Sequence, residues 1–598
     1  MSKVKSPSKS EDKSPSKSEA KQPNRRQFLG RAGGATAAAI AVGAIGLDPL
    51  LGLKSSIAFA DDIGPMGPIE RANLAKAIRD EQTQEERDLP IPNHPDNNDE
   101  ELYARKFANY TKGLKHNAIG EVNLAAYDAL LDAIHVGTFA SFESLQPHLG
   151  CPDEARQRRL VNPLSGYAFD LEGTDSHQLK MPPAPAFASA QEAGEMVELY
   201  WMSLLRDVRF DNYDTNATAQ QAAEDLSNLS DFRGPKMGGQ VTAQTLFRDT
   251  YPGCTKGPYI SQFLLKPAPL GAIPIDQRIN TAKANIDYMT DFADWLDIQN
   301  GCQPTQMTQL DGRRFIRNGR DLGQYVHVDV IFQEYFVAAL ILLAGGYPAD
   351  AGNPYGPIID DGTGRPLPIG ADGSRVQVGF GTFGGPAAAA FSTEPAIRAL
   401  KDVWYQKWLV HRRLRPEEFG GRVEAERLNL ANYPIHPDLT NNSNVLNRVF
   451  NKFGSYLLAQ AFPEGSPMHT SYGSGHATVA GACATMLKAF FDESAEIQNP
   501  VMLNPADNGL TLVPYTGPDT LTVGGELNKL VSNVSQGRNH AGVHWRTDAT
   551  EANRLGEQAA INILADMFET YREPFSAGFS LRRFNGTTIT VKGNPVSN

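Results

Sequence analysis

Four cysteines in 598 residues leave little room for cysteine chemistry. Cys151, Cys254, Cys302 and Cys483 form no Cys-x-x-Cys pair and no Cys-x-x-Cys-His motif, which argues against zinc and c-type haem. Disulfides and buried free thiols are equally open readings for them. Long apolar runs are also missing. The stretch from Ala32 to Leu47 is short, carries four glycines and is followed by Asp48, and the apolar stretch His327 to Leu343 contains Glu334. Neither suits a bilayer, so no membrane span is expected in the mature chain. Positive charge is in deficit, with 56 Lys and Arg against 68 Asp and Glu and a net charge of −12, which argues against nucleic acid or an anionic membrane as partner. Residues 1–60 hold a basic surplus of six, so the rest of the chain stands at −18. Basic residues that cluster in so anionic a body are placed for a purpose.

What is present is the composition of a large globular protein, 41% hydrophobic and 21% charged. The patterning predicts a mainly α protein of helix bundles with long loops and a small C-terminal β-hairpin. Residues 1–60 comprise a low-complexity stretch, with Lys-Ser-Pro-Ser-Lys-Ser-Glu beginning at Lys5 and again at Lys13, then Arg25-Arg26-Gln27-Phe28-Leu29 and a closing Ala58-Phe59-Ala60. That reads as a twin-arginine export signal with its cleavage site, pointing to the periplasm or the exterior. Residues 61–300 are expected to form an N-terminal helical region, 301–577 a C-terminal one, and 578–598 a hairpin and tail. Helices are predicted near Glu100 to Gly113, Glu121 to Ala133, Ala190 to Phe210, Asp276 to Asn300 and His327 to Leu343. The Gly/Pro/Asp-rich loop Gly345 to Gly385 carries Asp360, Asp361 and Asp372, where a structural calcium is weighed against a solvated turn.

Three clusters carry the chemistry. In Met468-His469-Thr470-Ser471-Tyr472-Gly473-Ser474-Gly475-His476, small residues open onto the Ala-rich run Ala477 to Phe491. A helix start of this kind offers free N–H groups and a positive dipole end to an oxyanion. A second run, Trp404 to Pro416, places Lys407 and His411 one turn apart on a helix that begins at Thr393-Glu394-Pro395, with Arg415 leaving it at the position before Pro416. In the third, Gly537 to Asp548, Arg538 precedes His544 by six residues and Asp548 follows it by one helical turn. Such an aspartate fixes the imidazole tautomer and frees the other ring nitrogen as ligand or nucleophile. Lys407, Arg415 and Arg538 as cations, Ser474 and Gly475 as neutral donors, and His476 and His544 as imidazoles together fit a tetrahedral oxyanion, phosphate or vanadate.

These motifs resemble those of the vanadium-dependent haloperoxidases, which share their site with the type 2 phosphatidic acid phosphatases: Lys-x6-Arg-Pro, Pro-Ser-Gly-His and Ser-Arg-x5-His-x3-Asp. Here seven residues separate Lys407 from Arg415, Gly473 stands for the usual Pro and Gly537 for the usual Ser. The longer spacing resembles the algal and cyanobacterial bromoperoxidase branch. The resemblance implies that His544 bonds vanadium, that Lys407, Arg415, Ser474, Gly475 and Arg538 hold vanadate oxygens, and that His476 is the acid–base group. It also gives Lys407 the task of polarising bound peroxide. His469 resembles the second histidine of bromoperoxidases, with a halide or proton-transfer role, whereas Trp404 resembles the tryptophan of fungal chloroperoxidases. The expected partners are hydrogen peroxide, a halide (bromide before iodide or chloride) and a small organic nucleophile. Red-algal members assemble as dimers and dodecamers, so a homo-oligomer is expected. The rival reading is an acid phosphatase in which His544 attacks a phosphoester and His476 protonates the leaving group.

Overall fold

The computed structural model describes residues 67–356, 374 and 376–593. The twin-arginine stretch and the three aspartates considered for calcium, Asp360, Asp361 and Asp372, lie outside the described residues. Among those described, no group of three or more His, Cys, Asp or Glu is placed to hold a metal, and no helix is long and apolar enough to cross a membrane.

The chain is helix-rich, and helices begin where a short polar side chain can cap the free N–H groups. In order, α1 spans Pro68–Asp88, α2 Leu124–Val136 capped by Asn123, α3 Ala190–Leu205 capped by Ser189, and α4 Ala217–Asn228 capped by Asn216. Next come α5 (Phe292–Gln299), α6 (Gly319–Tyr325), α7 (Gln333–Ala344), α8 (Pro395–Tyr405) and α9 (Pro416–Arg427). The last three are α10 (Gly475–Phe490, capped by Ser474), α11 (Val523–His540, capped by Thr522) and α12 (Arg546–Thr570). Further helices, among them Val445–Phe453, and 3-10 turns join them. Strands occur in antiparallel pairs: β1 (Ala268–Leu270) with β2 (Ile273–Ile275), β3 (Ile279–Ala282) with β4 (Leu310–Arg314), β5 (Val501–Leu503) with β6 (Leu512–Pro514), and β7 (Phe579–Arg582) with β8 (Thr588–Val591). The expected closing hairpin is the last pair, in register Phe579 to Val591 and Arg582 to Thr588, turning through Gly586 at φ 87°.

Several predicted helices are shorter than expected. Within Asp276 to Asn300 only α5 is helical and β3 occupies the start, and of Glu100 to Gly113 only Asp99–Leu102 is helical. Residues 327–332 are likewise not helical, and α7 starts at Gln333. Paired β3 and β4 offer a backbone partner that periodicity alone cannot register.

The site is carried by α8, α10, α11 and α12, which pack on one another. Helix α10 is buried almost throughout, and its small residues let α12 come within backbone contact. A Cβ on Gly481 would sit 2.1 Å from the Asn553 carbonyl oxygen, and one on Gly556 would sit 1.9 Å from that of Thr478. Any side chain at either position would push the two helices apart. The main apolar core around them draws Met196, Tyr200 and Trp201 of α3, Phe419 of α9, Val479 of α10, Val531 of α11 and Ile563 of α12 into one cluster. A disulfide joins Cys151 to Cys302, while Cys254 and Cys483 are buried free thiols.

Candidate active site

Helix α8 does not run regularly to the proline that follows it. After Tyr405 the backbone widens into a π turn over Gln406–His411, with the Arg412 N–H bonded to the Lys407 carbonyl five residues back. One extra residue fits in such a turn, which explains the seven-residue spacing between Lys407 and Arg415. Arg412 then takes a left-handed conformation (φ 36°) and reverses the chain. Three arginines in four positions consequently go to three places: Arg412 to Glu100, Arg413 to Asp548, and Arg415 to His544.

The cations converge without carboxylates to neutralise them. Lys407 Nζ donates to the carbonyls of Thr470 (2.7 Å) and Ser471 (2.8 Å). Arg415 donates from Nε to the His469 carbonyl (2.9 Å), from Nη1 to the Val543 carbonyl (2.7 Å) and to His544 Nε2 (2.9 Å), and from Nη2 to His469 Nδ1 (2.9 Å). Arg538 donates from Nη1 to the Val326 carbonyl (2.6 Å) and leaves its Nε unpartnered. Lys407 and Arg415 are fully buried and Arg538 nearly so. Yet Arg413 and Arg546, equally buried, are ion-paired to glutamates and aspartates, whereas among the described residues no carboxylate lies in ion-pair contact with Lys407, Arg415 or Arg538. Buried charges are normally paired. Burial, with Arg415 and Arg538 nearby, holds Lys407 well below the usual lysine range, and burial with Arg415 beside it brings Arg538 down to about 10 although Asp329 opposes the shift.

His544 is the hub. Its Nδ1 donates to Asp548 Oδ2 at 2.8 Å, one turn along α12, so Nε2 keeps its lone pair toward the cations. Asp548 is itself held by Arg413 Nη1 (2.9 Å to Oδ1), the Ser471 hydroxyl and the Trp545 N–H. Burial, reinforced by Arg415, Lys407 and Arg538, keeps His544 well below the ordinary histidine range and therefore neutral. Ser474 caps α10, its Oγ accepting from the Ala477 N–H at 3.4 Å, and its own N–H donates to the Asp548 carbonyl. His476 Nε2 meets Asp329 Oδ1 at 3.1 Å. Burial and Arg538 push His476 down against the pull of Asp329.

His476, Arg538, His544, His469, Gly475 and Trp404 line one cavity of about 230 Å³. Its rim carries Ile331, Phe462 and the pair His327–Glu464 (2.6 Å), with the His327 ring stacked on Phe462 at 3.7 Å. Lys407, Arg415 and Ser474 stand behind this wall. The structure thus brings together all eight residues singled out from the sequence. His469 also braces the site, since its ring accepts from Arg415 and lies 4.8 Å from Trp404. Gly537 stands where α6 presses on α11, for a Cβ there would lie 2.9 Å from Val326 Cγ2 and 3.1 Å from the Leu322 carbonyl oxygen. Sequence reading missed Arg413 and Asp329. Nothing local marks either one, since Arg413 is one of several arginines in its run and Asp329 reaches His476 from a non-helical turn 147 residues away.

The donor set fits an oxyanion bonded to His544: Arg538, the helix start at Gly475 and the neutral His544 ring line one small cavity, with Arg415 bonded to its lining histidines and Lys407 over the Trp404 ring behind them. Comparison with known proteins points the same way. The family model described as the VCPO second helical-bundle domain matches residues 440–573. A vanadium-dependent bromoperoxidase of Corallina pilulifera is 36% identical over 83% of this chain and 92% of its own length. Another from Ascophyllum nodosum is 35% identical over 89% and 94%. The homohexameric structure of the second vanadate-dependent bromoperoxidase from Ascophyllum nodosum superposes with a TM-score of 0.81 at 29% identity, covering 92% of this chain and 96% of that one.

Proposed function

Since the chain belongs to the vanadium-dependent bromoperoxidase family, we propose that Lys407, Arg415, Ser474, Gly475 and Arg538 hold vanadate on His544 Nε2 for the peroxide-dependent oxidation of bromide. The protein is a vanadium-dependent haloperoxidase with vanadate as its cofactor. The observation that carries the residue assignment is the trio of buried cations without carboxylate partners around a neutral imidazole. When bound, vanadate supplies a pentavalent Lewis-acid centre that makes peroxide electrophilic toward halide without a change of oxidation state.

The chain's residues supply the rest. Asp548 holds His544 in the tautomer that leaves Nε2 unprotonated, its lone pair now met by Arg415, and Arg413 and Ser471 hold Asp548. With the oxyanion bound, Lys407 and the two arginines would stabilise its negative charge, and Lys407 would also draw charge from the peroxide oxygen that halide attacks. His476, with Asp329 behind it, takes a proton from the incoming peroxide and returns one to the leaving oxygen. His469 fixes the Arg415 guanidinium and, with Trp404, forms the wall where bromide approaches. Hypobromous acid or its equivalent then brominates an electron-rich organic compound.

The test is direct. Protein stripped of metal should lack bromide oxidation, regain it with vanadate in proportion to bound vanadium, and lose it again to phosphate. Activity that survives stripping, or a haem absorbance band, would refute the assignment.

Export by the twin-arginine route is part of the same reading, supported by Arg25-Arg26 and by the Cys151–Cys302 disulfide, a bond that persists in oxidising compartments. Replacing both arginines by lysine should leave the protein in the cytoplasm. Assembly into a homo-oligomer is supported by the exposed apolar side chains Phe139, Phe169, Leu171 and Ile397. A monomer by light scattering would exclude it.

A further inference from the structure

Behind His476 stands a second carboxyl that the reaction as described does not use. Glu334, in the first turn of α7, is 0% exposed, and both its oxygens fall short of a well-formed hydrogen bond with any described residue. Yet its carboxyl faces Asp329 and the Tyr325 hydroxyl closely enough for each to act on it. Asp329 is in the same position on one side: Oδ1 meets His476, while Oδ2 is buried and unpartnered. Three carboxyl oxygens thus sit together out of water, and neither the nearby Tyr325 hydroxyl nor the Glu334 N–H meets them in good hydrogen-bond geometry. Adjacent buried carboxylates cannot both ionise, and a single proton between them satisfies both.

We propose that Glu334 is a positioning residue that keeps a proton and shares it with Asp329 Oδ2, thereby setting how strongly Asp329 holds the His476 imidazole. The electrostatics assign the proton to Glu334. Burial, then Asp329, drives the Glu334 carboxyl well above its ordinary range, while Asp329 is held below its own, burial notwithstanding, by His476 and Arg538. The other groups facing Glu334 are Tyr325 from α6, Tyr335 on its own helix and Cys483 from α10, and burial pushes all three upward, so none of them ionises near neutral pH. His476 is faced by Asp329, by Arg538 from α11 and by His327 and His544. Hydrogen-bond donation from Glu334 draws charge out of Asp329, which then stabilises an imidazolium less. His476 is left neutral and ready to accept the peroxide proton. This inference rests on His476 being the acid–base group.

Two measurements test it. Infrared difference spectra of the vanadate-free full-length protein at pH 7 should show the carbonyl stretch of a protonated carboxyl that disappears in Glu334→Gln. In the vanadate-loaded enzyme, Glu334→Leu removes the donor, so the acid limb of the pH dependence of kcat/KM for peroxide should move up by about half a unit to one unit. Glu334→Gln keeps an N–H donor toward Asp329 and should restore the limb to its wild-type position. The inference is overturned if no protonated-carboxyl band depends on Glu334, if the Gln and Leu variants shift the limb together, or if neither shifts it. The near-isosteric Gln variant keeps the spectroscopic test available should the Leu variant fail to fold. His476→Ala separates the two readings: an acid limb that survives there sinks the role of His476 itself, whatever Glu334 does.

Discussion

Replacing Asp548 by asparagine isolates what holds His544, the proposed vanadium ligand. The carboxylate is fully buried and serves two sides at once, Oδ2 accepting from His544 Nδ1 at 2.8 Å and Oδ1 from Arg413 Nη1 at 2.9 Å. Asparagine has the same shape but one acceptor. If its oxygen faces Arg413, its NH₂ faces His544, and the ring must turn its lone pair inward and place a proton on Nε2, where it cannot ligate. If its oxygen faces His544, two donors oppose each other at Arg413. Loss of a group that orients a ligating histidine typically costs 10- to 100-fold in metal affinity, or about 1.4–2.7 kcal/mol. Stability should fall as well, by about 3 kcal/mol for one buried charged pair broken, at the low end because Arg413 retains Glu192 and Glu195. Equilibrium dialysis with vanadium quantified in the bound fraction gives the affinity, and urea unfolding of the vanadate-free protein gives the stability. The two losses should separate in Asp548→Ala, which frees Nδ1 from any imposed partner. Wild-type vanadate affinity in Asp548→Asn would refute the tautomer argument outright.

Anion binding should be coupled to proton uptake. Burial and its cationic neighbours hold Lys407 low in the free site, and a bound oxyanion raises it again. A group whose pKa rises on binding contributes affinity that is complete below its free-state pKa and lost as pH climbs through its bound-state value. Calorimetry in buffers of differing ionisation enthalpy, corrected for the ligand, should show uptake that vanishes in Lys407→Met. His469→Ala removes the Nη2 partner of Arg415 but leaves the guanidinium its two backbone carbonyls, so vanadate affinity should weaken about tenfold, or ~1.4 kcal/mol, together with bromide turnover. Lost turnover at unchanged affinity would instead restrict His469 to the halide or proton-transfer role expected from sequence. Cys302→Ser opens a bond spanning 151 residues, for which loop-closure entropy gives about 5 kcal/mol. Unfolding in urea, with and without reductant, should show the loss in wild type only when reductant is present.

The amino-acid order by itself determined what is local. Ser474 as a helix cap, Gly475 and His476 in the first turn of a small-residue helix, and His544 one turn from Asp548 follow from spacings of three and four residues, because helix geometry converts such spacings directly into neighbours. The terminal hairpin was legible for a similar reason, Asn585-Gly586 marking the turn between alternating residues. Arg415 was singled out by the sequence, but tertiary structure decided where its neighbours Arg412 and Arg413 go, since the π turn shifts the phase on which any helical count depends. It also delivered Asp329 to His476, and Arg413 to Asp548, across chain separations that no periodicity encodes. Those pairings became visible only in space, where burial removes water and leaves each charge to be judged by what stands next to it.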